Sequence, residues 1–293
     1  MSLEIFITYY GAAEHLRTAV ESVLKQSDPD WNLAIIDDCY PGSEAQEFID
    51  SVGDERIKFV RNKNNLGVSE TFNRCVELST ADFLVIMGHD DVLNPNFVSK
   101  AKTLCKEFAN VDIIQPGVSV IGGDGWPSEP LADFFKRQIS SKLPDDLELS
   151  GNRLSSSLMI GNWAYFPSLI WRRETLVKYR FREDLTICQD LQLISMIIAD
   201  GGSMVKSPEK IFRYRRHSNS LSALGGKSGE VFEQERRLYS ELKAVFELAG
   251  MRSSSFWARV HPFSRLSALF LSMKALVVFD FTGFARALRH AIS

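Results

Sequence analysis

Adjacent carboxylates at the end of an apolar run are the feature of this sequence that points most directly to chemistry. Asp90 and Asp91 come shortly after the apolar residues 83–87, with Gly88 and His89 between. Neighbouring carboxylates repel each other unless a cation lies beside them. Hard divalent cations take carboxylate oxygens, and Mg²⁺ commonly binds one or two of them together with substrate phosphates. The pair predicts a metal site, with a solvated loop whose aspartate caps the next helix as the alternative.

A second pair, Asp37 and Asp38, repeats this arrangement after the apolar run 33–36. Carboxylates in this position could accept hydrogen bonds from the N–H of a base or from ribose hydroxyls. Because Pro41 and Gly42 follow shortly, a surface turn is the alternative. Two such pairs together favour a common binding edge over two unrelated turns.

The elements that would position these carboxylates alternate through the first third of the chain. Short apolar runs that predict strands occur at 5–8, 33–36, 57–60 and 83–87. Helices are predicted at 16–24, 43–52, 68–76 and 94–108, three of them from apolar residues at helical spacing. This alternation indicates a parallel sheet covered by helices on both faces. Ligands bind such sheets beyond the carboxyl ends of the strands, where Thr8 and both aspartate pairs fall.

The pattern loosens from about residue 122, where a glycine-rich loop begins. Short helices and a mobile segment are expected over 128–160. Further strands are predicted at 168–171, 203–205 and 211–214, and further helices at 173–179, from Asp190 onward, and at 229–249. The expected fold is α/β, a doubly wound and mostly parallel sheet with helices on both faces and a helical C-terminal tail.

Composition excludes several classes of protein. The chain has 293 residues and a net charge of −3, with 45% hydrophobic and 24% charged residues, as in an ordinary globular protein. Its four cysteines form no C-x-x-C pair, so we expect a reducing, cytoplasmic location and neither a zinc nor a disulfide scaffold. We find no signal peptide and no apolar run of about 18 residues that could span a membrane. No G-x-G-x-x-G follows the first strand, which argues against a dehydrogenase.

The charge is unevenly distributed along the chain. Residues 251–293 carry six basic side chains against Asp280 alone, which gives this segment +5 and leaves −8 for residues 1–250. The stretch Leu266–Phe281 is too short and too polar to span a membrane. A basic tail on an acidic body is suited to an anionic membrane surface.

The last residues predict a short amphipathic helix. Its apolar stripe consists of Phe284, Leu288 and Ile292, and its basic face consists of Arg286, Arg289 and His290. Such a helix suits the headgroup region of a membrane. Closing the core or forming a dimer seam is the alternative.

Several short motifs occur together in an order that resembles family 2 glycosyltransferases of the GT-A fold. In chain order these are Thr8-Tyr9-Tyr10, the stripe 16–24, Asp37-Asp38, Asn65-Leu66-Gly67, Asn73, Gly88-His89-Asp90-Asp91 and Gln189-Asp190. The resemblance covers about residues 1–222 and is strongest in 1–97. It implies transfer of a sugar from a nucleotide diphosphate to an acceptor, usually with inversion and a divalent metal.

The resemblance also implies roles for individual residues. The implied donor-binding residues are Thr8, Tyr10, Asp37, Asp38, Asn65, Gly67, Asn73 and Arg215, with Arg216 as a substitute for Arg215. The chain departs from the family at five positions, where Ile7 replaces a Pro, Tyr10 an Asn, Phe72 a frequent Arg, Gly88 the first Asp of the metal motif and Gln189 the usual Glu. The segment 214–222 that contains both arginines could also be an ordinary polar loop.

Metal, base and acceptor residues follow from the same resemblance. Asp90, Asp91 and His217 are the implied ligands of Mn²⁺ or Mg²⁺, and His89 is interpreted as a loop side chain in water. Asp190 matches the general base, with a helix cap as the alternative. The implied acceptor-binding residues are Asn162, Trp163 and Tyr165, for which core packing is the alternative.

We therefore expect a metal-dependent, inverting glycosyltransferase of bacterial surface polysaccharide or glycolipid synthesis. The alternatives are a nucleotidyltransferase that makes a nucleotide sugar and a non-catalytic module that binds one. Expected partners are a nucleotide-diphospho-sugar and a glycan or lipid-linked acceptor, without nucleic acid; a homodimer and a peripheral membrane location stay open. The expected divisions are a nucleotide-sugar-binding half (1–121), an acceptor-binding and catalytic half (122–227) and C-terminal helices (228–293).

Overall fold

A sheet of nine strands forms the centre of the computed structural model, which describes residues 1–217, 230–277 and 281–292. The strands are β1 Leu3–Tyr9, β2 Asn32–Asp37, β3 Ile57–Arg61, β4 Phe83–Gly88, β5 Val92–Leu93, β6 Ile113–Gly122, β7 Leu149–Ser150, β8 Ile170–Arg172 and β9 Ser203–Arg216. Their order is β3-β2-β1-β4-β8-β6-β9-β5, and β7 pairs with β9.

The longer strand pairs are parallel, as predicted. Strand β1 pairs in parallel with β2 and with β4, β2 with β3, and β6 with β9, whereas the pairs that involve β5, β7 and β8 are short and antiparallel. In register, Thr8 lies opposite Gly88, and Tyr9 lies opposite Asp37. The ends of β1, β2 and β4 therefore meet at one edge of the sheet, which confirms the shared polar edge.

Helices cover both faces of this sheet. They are α1 Ala13–Leu24, α2 Glu44–Val52, α3 Val68–Leu78, α4 Phe97–Glu107, α5 Leu131–Ser140, α6 Gly151–Ile160, α7 Arg173–Lys178, α8 Gln189–Ala199, α9 Glu230–Leu248, α10 Arg252–Val260, α11 Pro262–Val277 and α12 Phe281–Ile292. The stripe predicted for α1 is its buried face: Leu16, Ala19, Val20 and Val23 are inaccessible to solvent. The α/β class, the doubly wound sheet and the helical C-terminal region are all confirmed.

Two local predictions were wrong. The strands predicted at 203–205 and 211–214 form the single strand β9, which continues past Pro208 because irregular pairing around Gly117 accommodates the missing N–H. Helix α4 begins at Phe97 rather than at Asn94. The side chain of Asn94 instead donates to the carbonyl of Lys210 at 2.7 Å and so ties the loop to β9.

The predicted polarity of the last helix was wrong at His290 and Ile292, whereas Arg286 and Arg289 are exposed as predicted. His290 is fully buried, stacks on Phe232 with ring centres 5.1 Å apart and lies 2.6 Å from the hydroxyl of Ser264. Ile292, expected on the apolar face, is 75% exposed. The packed side of α12 runs through Ala287 and His290, because neighbouring helices supply partners that helical periodicity could not reveal.

Candidate active site

A carboxylate and an imidazole face each other beside the carboxyl end of β4. Asp90 follows this strand, and His217 follows β9. Pairing of Val92 with Arg213 brings the two strand ends together. His217 Nε2 lies 2.8 Å from Asp90 Oδ2, and both side chains are partly accessible to solvent. The fold thus joins two predicted metal ligands that are 127 residues apart in sequence.

Arg215 holds the loop that carries Asp90. Its Nε donates to the carbonyl of Asp90 at 2.7 Å, and its Nη1 donates to the carbonyls of Gly122 and Gly123 at 3.3 and 3.2 Å. The side chain is almost fully buried. These contacts give Arg215 a positioning role, and its expected contact with a diphosphate stays a prediction.

Asp91 lies behind Asp90 and is almost completely buried. Its Oδ1 accepts the backbone N–H of Arg215 at 3.0 Å. Burial, reinforced by the charge of Asp90, raises the pKa of the Asp91 carboxyl well above its usual range. The more accessible Asp90 is therefore the better placed of the two predicted metal ligands.

Gly88 stands where the resemblance places the first aspartate of the metal motif. A Cβ at this position would lie 2.6 Å from Asp90 Oδ1 and 3.3 Å from Asp91 Oδ2. A side chain here would displace the carboxylate that faces His217. Glycine at this position, where the family has aspartate, thus leaves room for the side chains of Asp90 and Asp91 at the strand end.

Two further histidines that the sequence analysis did not single out as ligands surround this pair. His15, in the first turn of α1, has its ring centre 5.6 Å from that of His217 and 6.3 Å from that of His89. His89 packs against Tyr9 at 5.5 Å and fills the space over Gly11, where a Cβ would lie 2.3 Å from its Nε2. The interpretation of His89 as a side chain in water was therefore wrong. Burial lowers the pKa of both His15 and His89, which keeps both imidazoles neutral at neutral pH.

Asp38 organises the loop that contains the predicted N-x-G turn. Its carboxylate accepts Asn62 Nδ2 at 2.9 Å and the N–H groups of Leu66 and Gly67 at 2.8 and 2.9 Å. Gly67 has φ +83°, a conformation that favours glycine. Asn65, exposed at the surface, accepts the same Gly67 N–H at 3.1 Å. Three predicted donor-binding residues thus form one unit, with Asn65 as its accessible member.

Asp37 and a group of tyrosines lie beside this unit. Asp37 accepts the N–H of Tyr40 at 2.9 Å and pairs with Arg61 at 3.2 Å. The ring of Tyr40 lies edge-on to those of Tyr9 and Tyr10, at 5.4 and 5.3 Å. Tyr10 is 52% exposed, so its ring is available to a base or ribose.

Thr8 and Asn73 make their contacts within the fold. Thr8 Oγ1 donates to the carbonyl of Met87 at 3.4 Å. The buried amide of Asn73 donates to the carbonyl of Phe181 at 3.0 Å and accepts the N–H of the same residue at 2.9 Å. Asn73 therefore ties α3 to the segment that precedes α8, and contact of either residue with a donor stays a prediction.

Asp190 lies in the first turn of α8, as predicted. The preceding Cys188 has φ +64° and occupies the N-cap position. Asn162 Nδ2 donates to Asp190 Oδ2 at 3.2 Å. Within the described ranges, Asn162 Oδ1, Gln189 Oε1 and Gln192 Oε1 are buried acceptors without a hydrogen-bond donor. Asn162 and Asp190 are thus joined directly at the start of α8.

A polar cluster on α5 connects the two carboxylate regions. Asp133 accepts two hydrogen bonds from Arg216, at 3.1 and 2.9 Å, and a third from the hydroxyl of Tyr165 at 2.9 Å. Lys136, one turn further along α5, lies 4.7 Å above the Tyr165 ring. Sequence periodicity did not single out Asp133 or Lys136, because the contacts come from β9 and from the loop that contains Tyr165.

Lys136 brings a cation close to the predicted base. Its Nζ donates to the carbonyl of Ala164 at 3.0 Å. Burial, together with the charge of Arg216, lowers the pKa of Lys136 to about 8, whereas the charges of Asp190 and Asp133 oppose this shift. The side chain lies within electrostatic range of both Asp190 and Arg216.

Trp163 packs in the hydrophobic core, so the expectation that it stacks on an acceptor sugar was wrong. Only 2% of its surface is exposed, and its Nε1 donates to the hydroxyl of Ser157 at 3.0 Å. The ring fills space between α6 and neighbouring elements, which the alternative of core packing anticipated. Tyr165, by contrast, is half-buried within the α5 cluster.

The arrangement of these residues has a counterpart among known proteins. The model of the family described as "Glycosyl transferase family 2" matches residues 4–165, more than half of the chain. The chain belongs to glycosyl transferase family 2. This membership supports a transferase, as the sequence analysis expected.

Relatives and solved structures of this family align with most of the chain. An uncharacterized glycosyltransferase of Methanocaldococcus jannaschii is 23% identical over 75% of this chain and 73% of its own length. WcaA of Escherichia coli, named for colanic acid biosynthesis glycosyl transfer, is 26% identical over 71% of this chain and 70% of its own length. The crystal structure of S. aureus TarS 1–349 with UDP-GlcNAc superposes with a TM-score of 0.64 at 13% identity, covering 99% of this chain and 91% of that one. This superposition shows a common fold.

The donor atoms at the strand end fit a metal ion that a substrate would help to hold. Asp90 Oδ2 and His217 Nε2 are joined by a hydrogen bond of 2.8 Å, which an ion bound by both atoms would replace. Within residues 1–217, 230–277 and 281–292, no group of three or more His, Cys, Asp or Glu side chains could hold an ion. Two protein ligands completed by phosphate oxygens are a common arrangement for Mg²⁺.

Proposed function

We propose that this family 2 enzyme transfers a sugar from a nucleotide diphosphate to an acceptor hydroxyl, with inversion and with a divalent metal. The observation that carries the proposal is that two groups occupy one side of the sheet. Asp90 and His217 form a metal-suited pair, and Asp190 lies beyond the Arg216–Asp133 ion pair. A donor diphosphate bound at Asp90 and His217 would place its sugar toward Asp190.

Asp190 is the proposed general base. It removes the proton of the acceptor hydroxyl while the hydroxyl oxygen attacks the anomeric carbon of the donor sugar. The bond from that carbon to the diphosphate oxygen breaks on the opposite side, so a single displacement inverts the configuration. The hydrogen bond from Asn162 orients the carboxylate for this step.

Asp90 and His217 are the residues that would hold Mn²⁺ or Mg²⁺. A metal bound there would compensate the negative charge that develops on the departing diphosphate. Arg215 supports these ligands by holding the backbone of Asp90. The buried Asp91 fixes the backbone of Arg215 from the other side.

The nucleoside is proposed to lie against the tyrosine group at the ends of β1 and β2. The exposed ring of Tyr10 and the accessible amide of Asn65 offer a stacking surface and a polar contact. The similarity to TarS, whose crystal structure contains UDP-GlcNAc, supports a UDP-sugar as the first donor to test.

The acceptor is proposed to be a growing bacterial surface glycan or its lipid-linked precursor. WcaA and TuaG, relatives named for colanic acid and teichuronic acid biosynthesis, support this class. TuaG of Bacillus subtilis is 27% identical over 78% of this chain. The residues available to contact the acceptor are Asn162 and Tyr165.

Release of nucleoside diphosphate from a panel of nucleotide sugars, with Mn²⁺ and with chelator, tests the proposal. We expect release from one donor, loss of release in chelator, and strong loss in Asp90→Asn with the fold intact. The matched control is Asp50→Asn, an exposed aspartate on α2, which should retain full activity. Consumption of pyrophosphate with a sugar nucleotide would instead support a nucleotidyltransferase, and full activity of Asp90→Asn in chelator would contradict the metal role.

A further inference from the structure

Helix α11 exposes several large apolar side chains, whereas its Phe263 and Leu271 pack against buried clusters. Leu266, Leu269 and Met273, spaced i, i+3 and i+7, are 52%, 42% and 53% exposed. The side toward the body carries the small residues Ala268 and Ser272, both buried. Surface helices usually have the opposite arrangement, with leucine and methionine toward the core. We call Leu266, Leu269 and Met273 the outer stripe.

Helix α10 also exposes a large aromatic side chain, although its Trp257 packs against the core. Phe256 is 56% exposed, whereas Ser255 and Ala258 are buried. Arg252 and Arg259 lie four residues before and three residues after Phe256, so they share its side of the helix. An exposed aromatic ring is thus flanked by two guanidinium groups.

All charged side chains within α10, α11 and α12 are basic. In the described part of the chain, Arg252, Arg259 and Arg289 are exposed and form no ion pair with an acidic group. Residues 251–293 carry six basic side chains against Asp280 alone. Two acidic side chains of α9 reach these helices: Glu235 accepts the Ser264 hydroxyl, and Glu247 accepts the Ser255 hydroxyl at 3.2 Å.

We propose that the outer stripe and Phe256 insert into the headgroup region of an anionic membrane, with the flanking arginines on the lipid phosphates. Contiguous apolar groups left on a surface mark an interaction site. Apolar side chains bordered by basic ones suit the boundary between headgroups and acyl chains. No helix within the described ranges is long and apolar enough to cross a membrane, so contact would be at the surface.

Charge favours a membrane over a second copy of the chain. Two copies joined through this face would bring two predominantly basic segments together, and like charges repel. An anionic lipid surface attracts each arginine that approaches it. The surface lies within the segment 251–293 expected from sequence, but most of its large exposed apolar groups are on α10 and α11, with Ile292 exposed on α12.

Co-sedimentation of the full chain with vesicles tests the proposal without any sugar donor, so it is independent of the proposed reaction. The vesicles are phosphatidylglycerol mixed with phosphatidylcholine, and phosphatidylcholine alone. We expect wild type to pellet with the mixed vesicles at low salt. Substituting all three residues of the outer stripe by serine should weaken partitioning roughly tenfold or more, since each leucine or methionine loses apolar contact.

A matched control removes three exposed apolar side chains elsewhere. Leu147, Val177 and Leu248 are 55%, 54% and 91% exposed and lie outside this face. Serine at these three positions should leave vesicle binding unchanged. Because all six side chains are exposed, both triple variants should keep the wild-type melting temperature.

The arginines are tested separately. Replacing Arg252 and Arg259 by serine should weaken binding to phosphatidylglycerol vesicles roughly fivefold for each residue, and high salt should have a similar effect. Equal pelleting of wild type and the outer-stripe variant would overturn the proposal. A second outcome would also overturn it. If wild type does not bind vesicles and is a dimer in analytical ultracentrifugation, while the outer-stripe variant is a monomer, then the face joins two copies of the chain.

Discussion

At the scale of single residues, Asp190 can lose its proton-accepting ability without losing its shape. Asp190→Asn keeps a side chain that can still face Asn162 but cannot take the acceptor proton. We expect turnover to fall by about 10²–10⁴-fold, the usual contribution of general-base catalysis. Donor affinity, measured by titration in the absence of acceptor, should change little because the carboxylate does not contact the donor phosphates.

Two neighbouring carboxylates serve as controls for this assignment. Glu183 is exposed, and Asp184 is engaged by Arg182 and Arg237. Glu183→Gln and Asp184→Asn should retain most of the turnover. If either is crippled while Asp190→Asn is mild, the base has been assigned to the wrong carboxylate.

The lowered pKa of Lys136 predicts how the free energy of unfolding changes with pH. The folded-state pKa of about 8 lies below the ordinary value of 10.5, so the unfolded state binds more protons between these values and wild-type stability rises across that window. Lys136→Met removes the buried charge. We expect the variant to be more stable than wild type below pH about 8, by at most about 3 kcal/mol, with the difference vanishing toward pH about 10.5. Urea denaturation across this range measures it, and a difference that is independent of pH would contradict the account.

Residue types and order were sufficient to place Asp90 at a strand end and Asp190 at a helix start, whereas their roles as metal ligand and base stay predictions. Types and order were not sufficient to distinguish a ligand contact from a structural one. Trp163 and Arg215 have types suited to sugar and phosphate binding, yet they contact Ser157 and backbone carbonyls in the fold. Their partners are distant in sequence, so only packing could decide.

At the scale of elements, α9 clamps the segment that leads to Asp190. Gln234 Oε1 accepts the N–H groups of Thr186 and Ile187, both at 3.2 Å, and its Nε2 donates to the Thr186 hydroxyl at 2.9 Å. Gln234→Ala should release both amides, with a cost of about 1–3 kcal/mol if they are left unpaired. We expect hydrogen exchange at Thr186 and Ile187 to accelerate roughly tenfold or more, and turnover to fall with donor affinity unchanged.

The control for this prediction lies on the same helix. Ser240 is exposed and faces away from the clamped segment. Ser240→Ala should leave both hydrogen exchange and turnover at wild-type levels. Gln234→Glu keeps an acceptor for both N–H groups but loses the donor to the Thr186 hydroxyl, so it should restore part of the protection from exchange. Unchanged exchange in Gln234→Ala would show that the clamp is not what orders this segment.

Most helices and strands of the first third were predictable because their buried residues recur in the patterns typical of helices and of strands. Helix α1 buries one stripe, and β4 is buried on both faces, so both are visible as apolar patterns. The same reasoning failed for β9, where polar residues interrupt two buried runs within one strand. It failed for α12 because helical periodicity assigns His290 to a polar face, although this histidine is buried.

At the scale of the whole molecule, one hydrophobic core crosses the divisions expected from sequence. Leu238 and Phe246 of α9 belong to the same buried cluster as Leu158 of α6 and Leu193 of α8. The expected boundaries at residues 121 and 227 stay predictions, but the C-terminal helices share this core with the catalytic half. The sequence could not show this, because apolar periodicity gives the buried side of a helix and not its partner.

This shared core predicts cooperative unfolding of the described elements. Phe246 lies on α9 and is fully buried, so Phe246→Ala removes a ring from a cluster that includes residues of α6 and α8. We expect a loss of about 3–5 kcal/mol in the free energy of unfolding, as for other large-to-small core substitutions. The exposed Leu248, two residues further on, provides a control whose change to alanine should stay within about 0.5 kcal/mol. Calorimetry should show one transition shifted to lower temperature in Phe246→Ala, with calorimetric and van't Hoff enthalpies in agreement. Two separated transitions, of which only one moves, would show that the C-terminal helices unfold on their own.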